Sequence, residues 1–349
     1  MTPPSKPETL VVMGRDAFES QFDARRLERL GHLAALGNPI WTPDFGESRL
    51  GESEAEDAAL DERLATVEVL LTGWGAPQLT EARLEKMPRL RAMLHCAGTI
   101  RPQVTDAFWK RGILASSVAE ANSIPVAEFT LAAIIFAGKK APFLAADARK
   151  HQGRWPDLGV HGELSNRGRT IGIVGFSRVG RRVVQQVQQL EDVTCLVHDP
   201  YIDPREIAAH GGRAATLDEL LPVVDVLSLH APELASTRHM IGARELGMLR
   251  DYTTVINTAR GSLIDTAALE AECRTGRINA ILDVTDPEPL PAHSALFDLP
   301  NVMITPHIAG SLGSELYRMT DAALDELERY VHGRPLQAEV SSDDLELSA

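Results

Sequence analysis

The segment TIGIVGFSRVG, residues 170–180, decides the fold. Its β-branched start is typical of a buried strand, and Gly175 supplies the residue without Cβ that a tight turn into a helix needs. Gly180 would let that helix pack closely on the strand, and the N–H groups at the helix N-terminus favour a pyrophosphate. The pattern is G-x-S-x-x-G, in which Ser177 stands in place of a middle glycine. Taken alone, the segment is also compatible with a glycine turn that binds nothing.

The residues after this turn favour a dinucleotide site. The next predicted strand, 194–198, ends at Asp199, nineteen residues after Gly180. A carboxylate at the tip of the second strand can accept hydrogen bonds from both ribose hydroxyls of an adenosine, and it would repel a 2′-phosphate. Because Pro200 and Tyr201 offer no guanidinium to reverse that preference, we predict NAD rather than NADP as the cofactor.

Short apolar runs alternate with helical patterns over almost the whole chain. Strand, helix and strand at this spacing imply right-handed parallel crossovers, which place helices on both faces of a sheet. We therefore predict the α/β class, with two domains that each contain a parallel sheet. The predicted strands are 9–13, 67–71, 91–96, 170–174, 194–198, 225–230, 253–257, 278–283 and 302–305.

Length and charge narrow the classes of protein. The chain has 349 residues, which suits about two domains. Lys and Arg number 35 against 49 Asp and Glu, so the formal net charge is −14. This balance disfavours a nucleic-acid partner and an anionic membrane surface, both of which attract basic proteins.

Cysteine and leader patterns add expectations about metal and location. Cys96, Cys195 and Cys273 are widely spaced and form no C-x-x-C, so we expect buried inert thiols and no metal site. Residues 1–7 lack the apolar core of a signal peptide, and the uncharged run 129–137 is far shorter than a membrane span. We expect a cytoplasmic protein without a membrane partner.

Five further segments carry expectations about helices and surface. Residues 122–125 combine an N-cap candidate with a proline suited to a first turn, which predicts a helix starting there. Its continuation, 126–140, is apolar nearly all round and is expected to be buried, either in one core or at a domain or subunit contact. Acidic residues 52–62 suggest an exposed face or loop, and 341–349 a solvated tail. An amphipathic helix is predicted at 314–332, with Leu316, Met319, Ala323, Leu324 and Leu327 on one side.

Three polar residues follow the last three predicted strands. Arg260, Glu288 and His307 each come shortly after a strand ends, in stretches framed by glycine or proline. Open parallel sheets bind their ligands at the carboxyl ends of strands. One such residue is usually a solvated loop residue, but three in succession indicate a catalytic site.

These stretches resemble the D-isomer-specific 2-hydroxyacid dehydrogenases, the family of D-lactate, D-glycerate and 3-phosphoglycerate dehydrogenases. The resemblance covers residues 90–315 best, and its most specific parts are INTARG (256–261), DVTDPEPLP (283–291) and TPHIAG (305–310). It implies Arg260 as the substrate binder, Glu288 as the partner of the imidazole, and His307 as the acid/base. Supporting stretches are NSIPVAEFTLA (122–132), HDP (198–200) and LHAP (229–232).

The chemistry suits those side chains independently. Reduction of a 2-oxo acid places negative charge on the carbonyl oxygen as hydride arrives, so a proton donor must lie within reach. Histidine can give and accept that proton near neutral pH, and a neighbouring carboxylate stabilises the imidazolium. Arginine presents a planar, permanently charged fork to a substrate carboxylate.

The cofactor contacts follow from sheet order and from the resemblance. Asp283 resembles the family aspartate that holds the nicotinamide carboxamide, although it could instead cap the end of its strand. The expected cofactor-binding residues are Gly175, Ser177, Arg178, Val179, Gly180, Asp199, Ala231, Pro232, Thr258, Ala259, Asp283 and Gly310.

The substrate pocket is expected from Arg260 and from two loops of the first domain. The resemblance implies that the backbone of Ala97, Gly98 and Thr99 holds the substrate carboxylate, but this loop departs from the family's G-x-G followed by Asp. Trp74 could shape side-chain specificity, or it could be a packed turn residue.

The expected domains are a flavodoxin-like substrate domain of residues 1–121, completed by 311–349, and an NAD-binding domain of residues 122–310. We expect the active site in a cleft between them and closure about a hinge. The resemblance implies a homodimer formed through the cofactor domain. Phe129 stands where many relatives carry His, and is expected to serve packing or subunit contact.

The favoured function is an NAD-dependent enzyme that interconverts a small 2-oxo acid and its D-2-hydroxy acid. Formate dehydrogenase shares the expected fold but calls for an amide beside the histidine, so Glu288 argues against it. An NAD(H)-sensing regulatory protein of the corepressor type remains the alternative from another class.

Overall fold

The structure, a computed structural model, describes residues 6–43, 45, 54–150, 152–154 and 157–347. They form two compact units: residues up to 122 together with 311–347, and residues 123–310. Every strand pairing in both units is parallel, so the predicted α/β class is confirmed. The second unit begins one residue later than the predicted domain. Parts of three segments with sequence-based expectations lie outside the described residues: 1–5 of the start, 52–53 of the acidic segment and 348–349 of the expected tail.

The first unit contains a five-stranded sheet of order β2-β1-β3-β4-β5 among its described residues, which is the flavodoxin-like order. Every residue of β3 and β4 is buried, because helices cover both faces of the sheet. The elements are β1 (Thr9–Val12), α1 (Arg15–Gln21), α2 (Ala24–Leu33), β2 (Trp41–Thr42), α3 (Glu54–Thr66), β3 (Val69–Thr72), α4 (Glu81–Glu85), β4 (Ala92–His95), α5 (Asp106–Lys110), β5 (Leu114–Ser117), α13 (Glu315–Val331) and α14 (Ser342–Leu347).

The second unit contains a seven-stranded sheet of order β12-β11-β10-β9-β6-β7-β8. Numbered from β6 in chain order and read from β8 to β11, the strands have the 3-2-1-4-5-6 order of dinucleotide-binding folds. The strand β12 is added beyond the sixth. The helix α6 (Ala119–Gly138) leads into it. Its elements are α7 (Ala141–Lys150), β6 (Thr170–Val174), α8 (Arg178–Val187), β7 (Thr194–His198), α9 (Pro204–Ala209), β8 (Arg213–Ala214), α10 (Leu217–Leu220), β9 (Val226–Leu229), α11 (Ala243–Met248), β10 (Thr254–Asn257), α12 (Thr266–Arg274), β11 (Asn279–Leu282), β12 (Val302–Ile304) and 3-10 helices at Leu158–His161, Gly261–Leu263 and Ala295–Phe297.

The expected start of α6 is wrong. The helix begins at Ala119, and Pro125 lies inside it rather than in its first turn. Asn122 does not cap the helix; instead its Oδ1 accepts a hydrogen bond from the backbone N–H of Ser311, 2.9 Å away. The local pattern missed this because a long-range partner takes the side chain that would otherwise cap a new helix.

The same helix is longer than its uncharged run suggested. By length and composition alone α6 could cross a membrane, which the run 129–137 did not indicate. Half of its most apolar window is buried inside the structure, as in the core helix of a folded domain. One side of the helix is buried within the chain, whereas Phe136 on the other side is 53% exposed. Burial of that side at a subunit contact stays a prediction.

The C-terminal helix α13 confirms the amphipathic pattern predicted at 314–332, since the five apolar residues predicted on one side are all buried in the first unit. The expectation of a solvated tail at 341–349 is wrong at one described residue. Residues 341–344 are exposed, but Leu345 in α14 is buried, together with Val340 just before the tail, in the core on the opposite face of the same sheet. Acidic neighbours hid Leu345 in the sequence.

Candidate active site

The turn after β6 has the shape that a dinucleotide phosphate requires. Gly175 has a φ of +95°, and a Cβ there would lie 2.4 Å from the backbone nitrogen of Ala231. A Cβ on Gly180 would lie 2.1 Å from the carbonyl oxygen of Gly175. Both glycines are therefore required by the close approach of backbone to backbone, which leaves the N-terminus of α8 open in front of the turn.

Ser177 and Asp199 both brace this turn. Ser177 is the N-cap of α8, and its Oγ accepts a hydrogen bond from the N–H of Gly180 at 3.3 Å. The carboxylate of Asp199 accepts from the N–H of Phe176 at 2.7 Å and of Tyr201 at 3.0 Å. Asp199 thus follows β7 directly beside the turn, where the adenosine ribose of a dinucleotide is expected.

The sheet order places the three predicted catalytic segments next to one another. Strands β10, β11 and β12 are neighbours, and Arg260, Glu288 and His307 lie beyond their carboxyl ends. The structure brings two of the three side chains into contact: Nδ1 of His307 lies 2.6 Å from Oε1 of Glu288. Both side chains are about half exposed. Because a carboxylate only accepts hydrogen bonds, Nδ1 carries the proton and Nε2 is left to exchange a proton with a ligand.

The loop that carries His307 is held by Asp283. This carboxylate is 2% exposed and accepts hydrogen bonds from the hydroxyl of Thr305 at 2.6 Å and from the N–H groups of Ile308 and Ala309, each at 2.8 Å. Its carbonyl accepts the N–H of His307, which has a left-handed φ of +55°. Asp283 therefore fixes the backbone on both sides of the imidazole; its expected bond to the carboxamide stays a prediction.

Arg260 is positioned by the side chain of Asn257. The buried Asn257 amide donates to the carbonyl of Arg260 at 2.9 Å and accepts the N–H of Ala259 at 3.1 Å. The guanidinium donates to the carbonyl of Ala259 at 2.6 Å. In the described part of the chain it forms no ion pair with a carboxylate, so a half-buried cation is left without a charged partner.

A glycine joins the Arg260 loop to the segment that leads to Glu288. A Cβ on Gly261 would lie 2.0 Å from the carbonyl carbon and oxygen of Thr285 and 2.5 Å from the nitrogen of Asp286. These are backbone atoms that cannot turn aside. Only glycine therefore allows the two catalytic loops to touch, a role that the sequence analysis did not assign.

The other expected cofactor contacts lie at this same edge of the second sheet. Ala231 is buried against Gly175, and Pro232 follows it. The hydroxyl of Thr258 lies 2.9 Å from that of Thr130 on α6, which ties the Arg260 loop to that helix. Their bonds to a dinucleotide stay predictions, as do those of Arg178, Val179, Ala259 and Gly310.

The expected substrate loops of the first unit follow β3 and β4. Trp74 is 43% exposed, so it is not a packed turn residue. Ala97 is buried, and the N–H groups of Gly98 and Thr99 donate no hydrogen bond within the described residues, which leaves them open to an anion. Their contact with a substrate stays a prediction.

Two buried histidines, one at the end of β4 and one just after β9, are held in the neutral form. Nδ1 of His95, the last residue of β4, lies 2.8 Å from the hydroxyl of Thr72 on β3. Nε2 of His230, just before Ala231, lies 2.9 Å from the hydroxyl of Ser228. Burial lowers the pKa of His95 to about 4 and that of His230 to about 3, so neither is a general acid at neutral pH.

The cysteines behave as the sequence analysis expected. Cys96, Cys195 and Cys273 are all buried and unpaired, and burial raises the pKa of each thiol to about 12. Among the described residues, His, Cys, Asp and Glu form no cluster that could hold a metal ion.

The residues present fit a dinucleotide. Its phosphates would lie at the N-terminus of α8, beside a tight turn that a Cβ at Gly175 would not allow. Asp199 would receive the adenosine ribose, because its carboxylate follows the second strand of this sheet order.

Comparison with known proteins agrees with this fit. Residues 132–309 match the family model for the NAD binding domain of D-isomer specific 2-hydroxyacid dehydrogenases. The match confirms NAD as the cofactor that the sequence predicted.

Two curated relatives and one solved structure illustrate the range of similarity. D-3-phosphoglycerate dehydrogenase of Archaeoglobus fulgidus is 30% identical over 70% of this chain and 46% of its own length. (S)-sulfolactate dehydrogenase of Chromohalobacter salexigens is 32% identical over 70% of this chain and 79% of its own length. D-lactate dehydrogenase of Aquifex aeolicus, solved with NAD and lactic acid, is 26% identical, covers 97% of both chains and has a TM-score of 0.70.

The chain spans about half the length of the phosphoglycerate dehydrogenases that it matches. The match to the NAD binding domain nevertheless covers more than half of this chain and contains the phosphate turn, Arg260, Glu288 and His307. The chain therefore belongs to the D-isomer specific 2-hydroxyacid dehydrogenase family.

Proposed function

We propose that the protein is an NAD-dependent oxidoreductase that interconverts a small 2-oxo acid and its D-2-hydroxy acid. The observation that carries the proposal is the 2.6 Å contact between Nδ1 of His307 and Oε1 of Glu288, beyond the carboxyl ends of neighbouring strands in a dinucleotide-binding sheet. An imidazole held in this way can exchange a proton through Nε2, which is what interconversion of a carbonyl and an alcohol requires.

Each group of the site has one task in this reaction. NAD supplies the hydride acceptor or donor. In reduction, His307 Nε2 gives a proton to the carbonyl oxygen; in oxidation it takes the hydroxyl proton. Glu288 stabilises the imidazolium and orients the ring, while Asp283 fixes the backbone around His307. Arg260, which has no carboxylate partner among the described residues, binds the carboxylate of the substrate.

The test is NADH oxidation with a panel of 2-oxo acids: glyoxylate, pyruvate, hydroxypyruvate and longer chains. We expect turnover with at least one, and a loss of about 10²–10⁴-fold in His307→Ala while NADH binding, followed by fluorescence, is retained. Arg260→Lys should lower kcat/KM for the oxo acid because a point charge replaces a fork. NADH binding without turnover on any oxo acid would instead favour the NAD(H)-sensing alternative.

We also propose that the protein forms a homodimer through its second unit. Phe136 on α6, together with Leu158 and Val160 on the 3-10 helix that follows α7, are apolar and more than half exposed. Contiguous exposed apolar surface commonly marks a protein–protein interface, and the family resemblance implies a dimer through this domain. Phe136→Glu should lower the mass measured by analytical ultracentrifugation, whereas Phe297→Glu, at an equally exposed phenylalanine of the same unit, should not. A monomeric wild type would contradict the proposal.

A cytoplasmic location and the absence of nucleic-acid and membrane partners stay predictions.

A further inference from the structure

A polar pocket lies at the edge of the NAD-binding sheet opposite the candidate active site. It measures about 150 Å³ and is lined by residues that immediately precede or begin β6, β9 and β10, together with the end of α6. In a parallel sheet these N-terminal ends lie on the edge away from the candidate active site. Its lining includes Lys140, Arg169 and Arg250.

One carboxylate in this pocket is shared by two guanidinium groups. Oδ1 of Asp225 accepts from Arg250 Nη2 at 2.6 Å and from Arg169 Nη1 at 3.3 Å, while Oδ2 accepts the N–H of Thr170 at 2.8 Å. The Asp225 side chain is 14% exposed. A single negative charge therefore faces two positive ones in a half-enclosed space.

Lys140 adds a third cation that has only neutral partners. It is 5% exposed, and its ammonium donates hydrogen bonds to the carbonyl of Tyr252 and to the hydroxyl of Thr254, the latter at 3.0 Å. It forms no ion pair with a carboxylate in the part of the chain that the structure describes. Burial and the nearby Arg169 lower the pKa of Lys140 to about 8, although the negative charge of Asp225 acts in the opposite direction.

The backbone at this pocket is held in an uncommon conformation. Lys140 and Tyr252, which are joined by a hydrogen bond, have φ values of +53° and +66°. Non-glycine residues in the left-handed region are uncommon and gather at functional sites such as ligand clamps. His307 in the candidate active site shares this feature.

The other two carboxylates of the pocket do not balance these cations. Glu163 lies 3.7 Å from Arg169, and its side chain is 72% exposed. Asp251 is 70% exposed and lies 3.9 Å from Arg277. Water screens both carboxylates, as it also screens the 53% exposed Arg250. The enclosed groups Lys140, Arg169 and Asp225 then leave one net positive charge.

We propose that this pocket binds a small oxyanion: inorganic phosphate, or the phosphoryl group of a small monoester. Lys140, Arg169 and Arg250 would supply the charge-assisted hydrogen bonds. The volume accommodates a single such group rather than a dinucleotide. The site would be separate from the phosphate turn at Gly175, because it lies at the other ends of the same strands.

The test is isothermal titration calorimetry with inorganic phosphate on the NADH-saturated protein, with ionic strength held constant by potassium chloride. NADH blocks the phosphate turn, so binding that persists belongs elsewhere. We expect saturable binding of one phosphate per chain. Arg250→Gln should weaken it about ten- to a hundredfold, because a charged hydrogen-bond donor is lost.

Arg244→Gln is the matched control, since Arg244 is a similarly exposed arginine of the same unit that pairs with Asp218. It should leave phosphate affinity unchanged. Arg169→Gln is the second test variant, and circular dichroism checks that each variant is folded. Tighter binding of glycerol 3-phosphate than of phosphate would point to an organic monoester, and the reverse to the inorganic ion.

Sulfate, which does not titrate near neutral pH, reports the part played by Lys140. Its affinity should fall as pH rises past about 8, because the ammonium loses its proton. The charged and titratable groups facing Lys140 from the neighbouring elements are Glu163, Arg169, Asp225, Arg250, Asp251 and Tyr252. Absence of saturable binding, competition by NADH, or equal affinity in Arg250→Gln and Arg244→Gln would each overturn the proposal.

Discussion

Nδ1 of His307 lies 2.6 Å from Oε1 of Glu288, although nineteen residues separate them along the chain. The contact exists because β11 and β12 are neighbours and the segments that follow both strands leave the same edge of the sheet.

Glu288→Gln should lower kcat for oxo-acid reduction by at least about tenfold, because a charged hydrogen bond is replaced by a neutral one. Steady-state rates with the oxo acid measure the effect. Glu191→Gln, at an exposed carboxylate of the same unit, should leave kcat unchanged.

Asp283→Asn tests how the His307 loop is held. Oδ1 of Asp283 accepts from Thr305 and Ile308, and Oδ2 accepts from Ala309. An amide keeps only one acceptor oxygen in place of two. Its NH₂ group would therefore face the backbone N–H of Ile308 or of Ala309, which is also a donor. We expect kcat to fall about ten- to a hundredfold.

NADH affinity of Asp283→Asn separates its two assigned roles. If the side chain acts through the loop alone, the dissociation constant for NADH should stay near that of the wild type. A large rise in that constant would show that Asp283 also binds the carboxamide. Asp298→Asn, at an exposed aspartate of the same unit, is the control.

Gly261→Ala should disturb the contact between the two catalytic loops. Its Cβ would lie 2.0 Å from the carbonyl of Thr285, so the backbone must shift. We expect Tm to fall by roughly 2–12 °C and kcat to fall with it. Gly247→Ala is the matched control: its Cβ meets nothing within 4 Å in α11, so Tm should rise by roughly 1–4 °C. Similar Tm values for the two variants would refute the steric argument.

Asp199→Asn should reduce the preference for NAD over NADP. The substitution removes the charge that repels a 2′-phosphate and keeps one oxygen for the bonds to Phe176 or Tyr201. The ratio of kcat/KM for NADH to that for NADPH measures the effect. An unchanged ratio, with Asp203→Asn as the reference, would place the ribose contact elsewhere.

Stability should fall with acid because His95 and His230 are buried in the neutral form. The pKa of His95 is lowered to about 4 from an ordinary 6.5, so the unfolded chain binds a proton below pH 6.5 that the folded chain refuses until about pH 4. His95 alone should cost roughly 3 kcal/mol across that window. His230 continues the loss to about pH 3.

His95→Gln should flatten the dependence of Tm on pH between 6.5 and 4, although Tm at pH 7 falls through loss of the bond to Thr72. His32→Gln, at an exposed histidine of α2 in the same unit, should leave the slope unchanged. Equal slopes for the wild type and His95→Gln would contradict the buried-neutral assignment.

The α/β class, the phosphate turn and the order of the catalytic residues could all be predicted from the sequence. Each depends on residues close together in the chain: the strand and glycines of 170–180, and polar residues placed just after an apolar run. Local backbone preferences and apolar periodicity depend only on neighbouring residues, so they can be recognised without knowledge of the fold.

Tertiary structure decided what each side chain contacts. Asn122 accepts a hydrogen bond from Ser311 instead of capping a helix, and Asp283 accepts hydrogen bonds from the His307 loop. Leu345 is buried despite acidic neighbours. These outcomes depend on which strands become neighbours and which faces are covered. The reason is physical: a hydrogen bond or a buried methyl group between distant residues depends on their positions in space, which the local pattern of neither residue contains.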